Sequence, residues 1–147
     1  MTDLKNSAGN ALPMLVVSCA LVERDGAIIM HRRPPGTHHA GRWEFAGGKV
    51  EPGETPAAAL TRELAEELSI RIAEQDLMPT GFVASSDAGP EGCGIVLLLY
   101  VCRRWTGEPQ ALNGAATASC QPAAICRLDL APLDRLLVPQ LRLALLG

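Results

Sequence analysis

Apolar residues fall in runs of strand length along most of this chain, and short polar or Gly/Pro-rich segments separate the runs. Runs of Val, Ile and Leu bounded by turn-forming residues are typical of buried β-strands. The pattern predicts strands over residues 13–23, 27–32, 43–46, 78–85 and 94–105, and weaker ones over 70–73 and 111–121. Arg24-Asp25-Gly26 predicts a tight hairpin turn between the first two strands.

One segment has the period of a helix instead. Leu60, Leu64 and Leu68 recur every four residues, so they form one apolar stripe that can pack against a core. Thr55-Pro56 marks the beginning of this helix, because threonine caps free backbone N–H groups and proline is tolerated in the first turn. We expect the helix to end at about Leu68.

A second helix is predicted over residues 133–146, disturbed at Pro139, after a helical turn over 122–128. Strands combined with two helices in a chain of 147 residues predict one α/β (α+β) domain, in which a mixed β-sheet is sandwiched between helices. We place this domain at residues 12–147 and interpret the small and polar residues 1–11 as a flexible tail.

Composition excludes several classes of partner and location. The net charge is −3 and there is no basic run, which argues against polymeric nucleic acid, because that binding depends on Lys and Arg at the phosphates. No stretch approaches the ~18 apolar residues of a membrane span. The apolar run at 12–22 leads into a turn and is interpreted as a strand rather than a signal peptide. Five cysteines without C-x-x-C spacing indicate free thiols in a reducing compartment, so we expect a cytoplasmic protein.

Three carboxylates are placed together on the first predicted helix. Glu63, Glu66 and Glu67 stand at i, i+3 and i+4, so they share one flank of the helix beside its apolar stripe. Like charges at this spacing repel by roughly a few tenths of a kcal/mol per pair, and a bound cation would relieve the repulsion. The alternative is a solvated acidic helix face, which is common in soluble proteins.

The residues around these carboxylates favour the cation site. From Gly48 the chain has five residues, Glu54, seven residues, and then Arg62-Glu63-Leu64-x-Glu66-Glu67-x-Ser69-Ile70. This pattern resembles the Nudix hydrolase signature at every specified position except Ser69, where the family has glycine. Because so many positions are fixed at set spacings, the pattern is highly specific.

The resemblance implies a metal-dependent site that cleaves a diphosphate linkage, with Glu63, Glu66 and Glu67 as its catalytic residues. It assigns the Gly47 carbonyl, Glu66 and Glu67 to Mg²⁺, with Mn²⁺ as the alternative ion, since both ions prefer oxygen ligands. Glu63 is expected to act as a general base or as a ligand of a second metal ion. Lys49 is expected to contact a phosphate.

Residues outside the motif resemble the MutT branch of the family, which comprises nucleoside triphosphate pyrophosphohydrolases. Segments 32–49 and 104–109 carry this likeness. Arg33 and His38 match positions that contact the nucleotide in that branch, and Asp134 matches an asparagine that reads the base. An ionised aspartate only accepts hydrogen bonds, which favours an exocyclic amine such as that of cytosine. The alternative is that Asp134 caps the last helix.

Three departures from the family pattern limit what the resemblance implies. Ser69 stands where glycine would supply a left-handed helix cap, so we expect a cost of about 1 kcal/mol in stability and no loss of a catalytic group. Ala118 stands where MutT proteins have an outer metal-site glutamate, which puts a second or third ion in doubt. The loop at 83–94 has no aromatic residue to stack on a base.

The expected function is Mg²⁺-dependent hydrolysis of a nucleoside triphosphate to the monophosphate and pyrophosphate. Its purpose would be to clear oxidised or modified nucleotides, such as 8-oxo-dGTP or cytosine-type nucleotides. A second hypothesis is hydrolysis of ADP-ribose, NADH or a dinucleoside polyphosphate, and a third is a non-catalytic nucleotide sensor. We expect a small nucleotide as the partner, no membrane association, and a monomer or weak homodimer.

Overall fold

The computed structural model describes residues 12–85 and 94–146. The predicted tail at 1–11 lies outside these residues, and so do residues 86–93 of the predicted loop at 83–94. The strands within them are β1 (Met14–Val22), β2 (Ile28–Arg32), β3 (Trp43–Glu44), β4 (Ala46–Lys49), β5 (Leu77–Ala84), β6 (Ile95–Cys102) and β7 (Ala116–Cys120). The α-helices are α1 (Pro56–Leu68) and α2 (Pro132–Leu146), and short 3-10 helices cover Glu74–Asp76 and Pro122–Arg127.

The strands form one mixed sheet in the order β3-β2-β1-β6-β5, with β4 paired to β1 and β7 paired to β2. β1 runs parallel to β6 from Met14↔Ile95 to Leu21↔Cys102, and the other strand pairs are antiparallel. β4 and β2 share the remaining edge of β1, with β4 beside residues 16–19 and β2 beside residues 21–22. This divided edge places the glycines of β4 next to the centre of the sheet.

The two α-helices cover opposite faces of this sheet. Leu60, Leu64 and Leu68 of α1 are fully buried in one core cluster, together with Val17 and Cys19 of β1. A second cluster packs α2 on the other face, and its helical members are Leu137, Val138 and Leu141. Truncating one such buried leucine to alanine costs about 2–5 kcal/mol in comparable cores. The predicted sandwich of helices around a mixed sheet is therefore confirmed.

The ends of α1 follow the sequence signals. Thr55 precedes the helix in an extended conformation, and its hydroxyl oxygen accepts a hydrogen bond from the Ala58 N–H at 3.2 Å. Ser69 ends the helix in the left-handed region with φ 58°, and its N–H donates to the Ala65 carbonyl at 3.2 Å. Both caps are confirmed, including the strained conformation of a residue that is not glycine.

Two local predictions need correction. Residues 70–73 do not form a strand, because only Arg71 finds a bridging partner there, the backbone of Thr106. β4 continues to Lys49 instead of ending at residue 46, since Gly47 and Gly48 pair with β1. The second predicted helix is present as α2, which includes Pro139 within its length.

Candidate active site

Two glycines of β4 bring the backbone close to both the sheet and α1. A Cβ atom on Gly47 would lie 1.9 Å from the Val17 carbonyl oxygen, and one on Gly48 would lie 2.3 Å from the carboxyl carbon of Glu63. Both distances are far inside van der Waals contact, so neither position has room for a side chain as the chain is folded. Glycine at position 48 therefore allows the Glu63 carboxylate to rest against the β4 backbone.

Arg62 organises the charged groups at this end of α1. Its Nε and Nη2 donate to the two oxygens of Glu54, each at 2.8 Å. Nη1 donates to Glu63 Oε1 at 2.8 Å and reaches Glu66 at 3.4 Å, while Nη2 also donates to the Lys49 carbonyl at 3.0 Å. The guanidinium lowers the pKa of Glu54 to about 2, so Glu54 stays ionised and holds Arg62 in place.

The three carboxylates of α1 differ in their surroundings. The side chain of Glu66 is 62% exposed, whereas Glu63 is 16% exposed and Glu67 is 27% exposed. Burial raises the pKa of Glu67 to about 7, and the negative charges of Glu44 and Glu63 act in the same direction. Burial also raises the pKa of Glu63, although Arg62 partly opposes that shift.

One carboxylate oxygen of Glu67 is positioned to bind a cation. Its Oε2 is buried and has no hydrogen-bond partner among the described residues. A buried polar atom left without a partner costs about 1–3 kcal/mol, and more when it is charged. Carboxylate oxygens are ligands that Mg²⁺ and Mn²⁺ prefer, and Glu66 and Glu63 lie on the same helix flank. The residues present therefore fit a divalent cation.

A second charged group stands beside Glu67 and was absent from the sequence prediction. Glu44 is 9% exposed, and its two oxygens contact His31 Nδ1 at 3.0 Å and Arg33 Nη1 at 2.9 Å. His31 is 4% exposed, and its Nδ1 is 3.9 Å from Glu67 Oε2. Burial opposes protonation of His31, but the hydrogen bond to Glu44 and the charge of Glu67 outweigh it and raise its pKa. The available sequence signal was a charged or polar residue inside an otherwise apolar strand.

A cavity of about 280 Å³ adjoins these groups. It is lined by residues of β2, the following loop, β3, α1 and the segment before β7, namely His31, Arg33, Pro34, Thr37, Glu44, Glu66, Glu67, Leu112, Asn113 and Ala115. A larger open cavity of about 580 Å³ at residues 103–105 and 22–25 contains none of the α1 carboxylates. The smaller cavity is the candidate site, because it combines ligands for a cation with a guanidinium that suits phosphate.

The cavity brings together three of the predicted site residues, Arg33, Glu66 and Glu67. Glu63 is adjacent, held between Arg62 and Gly48. Leu112 and Asn113 also line the cavity, and sequence reasoning missed both because their segment has little periodic pattern. Ala118 does not line it, and pairs with Met30 in the sheet instead.

Two predicted substrate contacts lie at the margin of the site. Lys49 ends β4, and its carbonyl oxygen accepts from Arg62. The ring of His38 lies against the ring of His39, with centroids 3.8 Å apart, and the His38 carbonyl accepts a hydrogen bond from Arg33 Nε. Neither side chain is among the residues that line the cavity, so their roles as substrate contacts stay predictions.

Asp134 is buried behind the site rather than exposed in it. It lies in the first turn of α2, is 7% exposed, and its Oδ2 accepts a hydrogen bond from the Phe45 N–H at 2.9 Å. This contact ties α2 to the connection between β3 and β4. Burial raises the pKa of Asp134 to about 7, and the nearby charge of Glu44 adds to the shift. Its role in reading a base stays a prediction.

The model of the family described as NUDIX domain matches residues 12–143. The chain belongs to the Nudix family. The matched residues include every strand and both α-helices of the described structure except the last residues of α2, so the family prediction is confirmed. In the described parts of the chain, none of the helices has the length and apolar character needed to cross a membrane.

Relatives of this Nudix protein include nucleotide hydrolases. It is 39% identical over 123 residues to the CTP pyrophosphohydrolase of Escherichia coli, covering 84% of this chain and 87% of that protein. It is 37% identical over 87 residues to the 8-oxo-dGTP diphosphatase of Escherichia coli, covering 59% and 64%. A solved structure of a MutT NUDIX hydrolase from Burkholderia pseudomallei matches with a TM-score of 0.74 and 27% identity, covering 88% and 98%. The protein is a MutT-like Nudix hydrolase, an enzyme that acts on phosphoric anhydrides.

Proposed function

We propose that this enzyme is a Mg²⁺-dependent nucleoside triphosphate pyrophosphohydrolase that clears oxidised or modified nucleotides, such as 8-oxo-dGTP or cytosine-type nucleotides. The buried Oε2 of Glu67, which has no hydrogen-bond partner within residues 12–85 and 94–146, carries the proposal, because Glu67 shares a cavity with Glu66 and Arg33. A carboxylate that fits a cation, next to a guanidinium that suits phosphate, is the combination that a metal-bound polyphosphate requires.

The Gly47 carbonyl, Glu66 and Glu67 would hold Mg²⁺, with Mn²⁺ as the alternative. A divalent ion bound there would supply positive charge against the charge that develops on a leaving pyrophosphate. Arg33 and Lys49 would bind phosphate oxygens and orient the chain of phosphates.

Glu63 is the proposed general base. Arg62 donates to its Oε1, which leaves Oε2 to accept a proton from the attacking water. Its raised pKa makes the ionised form a better proton acceptor than an exposed glutamate. The water oxygen forms a bond to an inner phosphorus, the bond from that phosphorus to the bridging oxygen breaks, and pyrophosphate leaves with the bond's electron pair.

His38 and Asp134 are the proposed determinants of the nucleotide. A pKa of about 7 makes Asp134 available both as an acceptor and, when protonated, as a donor. The ionised form suits the exocyclic amine of cytosine, and the protonated form suits a base carbonyl. The names of the two relatives, a CTP pyrophosphohydrolase and an 8-oxo-dGTP diphosphatase, support these two classes of base.

The test is hydrolysis of dGTP, 8-oxo-dGTP, CTP, dCTP, 5-methyl-dCTP and ADP-ribose, with phosphate and pyrophosphate measured separately. We expect pyrophosphate from a modified or cytosine-type triphosphate, dependent on Mg²⁺. Glu63→Gln should lower kcat by roughly 10²–10⁴-fold, as loss of a general base does, while Glu51→Gln serves as an exposed control on the same loop-helix unit. Wild-type turnover in Glu63→Gln contradicts its role, and faster cleavage of ADP-ribose than of every triphosphate contradicts the substrate class.

We further propose that residues 12–147 act as a single domain in the cytoplasm, as a monomer or weak homodimer. Light scattering of the full chain across a concentration series tests the assembly. A stable higher oligomer at all concentrations contradicts it.

A further inference from the structure

His31 places a nitrogen atom beside the carboxylates of the site. It is the one buried histidine among the described residues, and its neighbours on β2 are apolar on the N-terminal side. Its Nδ1 faces oxygens of two acidic residues that belong to different elements, Glu44 on β3 and Glu67 on α1. Pairing with Glu44 alone leaves Glu67 Oε2 without a hydrogen-bond partner in the described parts of the chain.

The separations among these three side chains suit a shared ion. His31 Nδ1 is 3.0 Å from Glu44 Oε2 and 3.9 Å from Glu67 Oε2, and one donor atom from each residue lies within 4.8 Å of the others. Two ligands at about 2.1 Å from one ion lie about 3.0–4.2 Å apart, depending on the angle between them. Both separations from His31 Nδ1 fall within this range.

The surroundings of Glu44 favour this arrangement. Arg33 donates to Oε1 of Glu44 at 2.9 Å, which fixes the carboxylate and leaves Oε2 directed to His31. Partners of this kind orient metal ligands in other proteins and strengthen binding. When an ion replaces the hydrogen on Nδ1, the proton leaves to solvent and the imidazole binds in its neutral form.

We propose that His31, Glu44 and Glu67 form a cation site with one nitrogen and two carboxylate ligands, which takes a transition-metal ion such as Zn²⁺ in preference to Mg²⁺. Imidazole suits Zn²⁺ and similar ions, whereas Mg²⁺ selects carboxylates, carbonyls and water. The inference rests on the proposed function to the extent that Glu67 is a ligand there as well. The site gives this chain a second binding position for a metal ion, next to the one assigned to Gly47, Glu66 and Glu67.

The direct test is NMR of protein labelled with ¹⁵N-histidine. The chain has three histidines, and His31→Gln assigns the His31 signal while retaining a group that can donate to Glu44. Adding Zn²⁺ to the wild type should shift the His31 Nδ1 resonance to the range of a metal-bound nitrogen, and adding Mg²⁺ should leave it in place. A His31 Nδ1 resonance that does not respond to Zn²⁺ overturns the proposal.

Calorimetry adds a matched comparison. Zn²⁺ affinity should fall by at least about tenfold in His31→Gln and in His31→Leu, with Mg²⁺ affinity unchanged, and His39→Ala should bind Zn²⁺ like the wild type because its ring is exposed. Unfolding curves establish that each variant is folded, and the NMR experiment on the wild type needs no variant to fold. Equal Zn²⁺ affinity in wild type and both His31 variants overturns the site.

The experiments distinguish failure of the His31 metal site from failure of the proposed function. Mg²⁺-dependent release of pyrophosphate without a Zn²⁺-dependent Nδ1 shift overturns the His31 site and leaves the proposed function standing. A clear Nδ1 shift in a protein that hydrolyses no nucleotide supports the site and overturns the proposed function.

Discussion

Two groups of charged side chains meet at the cavity, and they differ in how their charges are satisfied. Around Arg62, the carboxylates of Glu54 and Glu63 each receive hydrogen bonds at 2.8 Å. Around Glu67, one carboxylate oxygen is buried without a hydrogen-bond partner among the described residues, and His31 Nδ1 is 3.9 Å from it. The carboxylates of the first group are paired within the protein, whereas the second group has a buried oxygen that a bound cation would satisfy.

The group around Arg62 and the group around Glu67 are therefore expected to have different roles. Arg62 is bonded on both edges of its guanidinium, so it acts as a scaffold that fixes Glu63 and the end of β4. Glu67 retains an unfavourable burial that a divalent ion would offset, which is a common arrangement at functional sites. Changes in the first group should therefore act on geometry, and changes in the second group should act on binding.

The largest effect on geometry is expected at the two glycines of β4. Gly48→Ala places a Cβ atom 2.3–2.6 Å from the Glu63 carboxyl group, so the carboxylate must move and kcat should fall on the order of 10²-fold. Because the end of a flexible side chain yields, the fold should survive, as thermal unfolding would show. Gly47→Ala is the matched comparison, since its Cβ meets the Val17 backbone at 1.9 Å and should destabilise the sheet itself. Equal loss of stability in both variants would contradict this distinction.

A smaller effect is expected on how the free energy of unfolding depends on pH. Burial raises the pKa of Asp134 from the 3.8 of an exposed aspartate to about 7. A carboxyl group with a raised pKa in the folded state binds its proton more tightly when folded, so its contribution to stability is present below pH 3.8 and is lost as the pH rises to about 7. Asp134→Asn keeps an acceptor for Phe45 and removes the titration. Between pH 3.8 and about 7, the free energy of unfolding of the wild type should fall relative to that of Asp134→Asn. Above this range, the difference between the two proteins should stay constant.

Denaturant unfolding at a series of pH values measures this difference. The control is Asp129→Asn, which changes an aspartate whose side chain is outside the cavity and the buried core. A difference between wild type and Asp134→Asn that is constant over the whole range would contradict the burial argument.

The smallest effect on stability is expected at Ser69, which lies outside both groups of charged side chains. Ser69→Gly removes the strain of a left-handed residue at the end of α1, where φ is 58°, and should raise the free energy of unfolding by about 0.5–1 kcal/mol. Ser69→Ala retains a Cβ atom and should bring no such gain. Neither change should alter kcat, because Ser69 does not line the cavity. A drop in kcat on Ser69→Gly would show that the cap also positions the carboxylates.

Local features of the sequence predicted local features of the site. The spacing of Glu63, Glu66 and Glu67 fixed their helix flank because the period of a helix is constant, and the caps at Thr55 and Ser69 follow from the preferences of single residues. The motif at 48–70 was sufficient to identify the family, which the match over residues 12–143 confirms.

Contacts between distant segments were not predictable in this way. His31 and Glu44 meet because they are paired residues of the neighbouring strands β2 and β3. The two residues are 13 positions apart in the sequence, and this spacing alone does not predict how the strands pair. Asp134 reaches Phe45 across 89 residues, so its burial and raised pKa depend on how α2 packs. The incorrect strand at 70–73 has the same origin, because its apolar residues pack beside α1 without a strand partner.

The central claim is that Glu67 holds a divalent ion for hydrolysis, and Mg²⁺ calorimetry of wild type and Glu67→Gln tests it most directly. Glutamine has nearly the same shape and no charge, so the variant should fold at least as well as the wild type. We predict Mg²⁺ binding to the wild type that is weakened at least about tenfold in Glu67→Gln, with Glu51→Gln, 64% exposed in its side chain, binding like the wild type. Glu67→Gln that binds Mg²⁺ and hydrolyses nucleotides like the wild type would contradict the account.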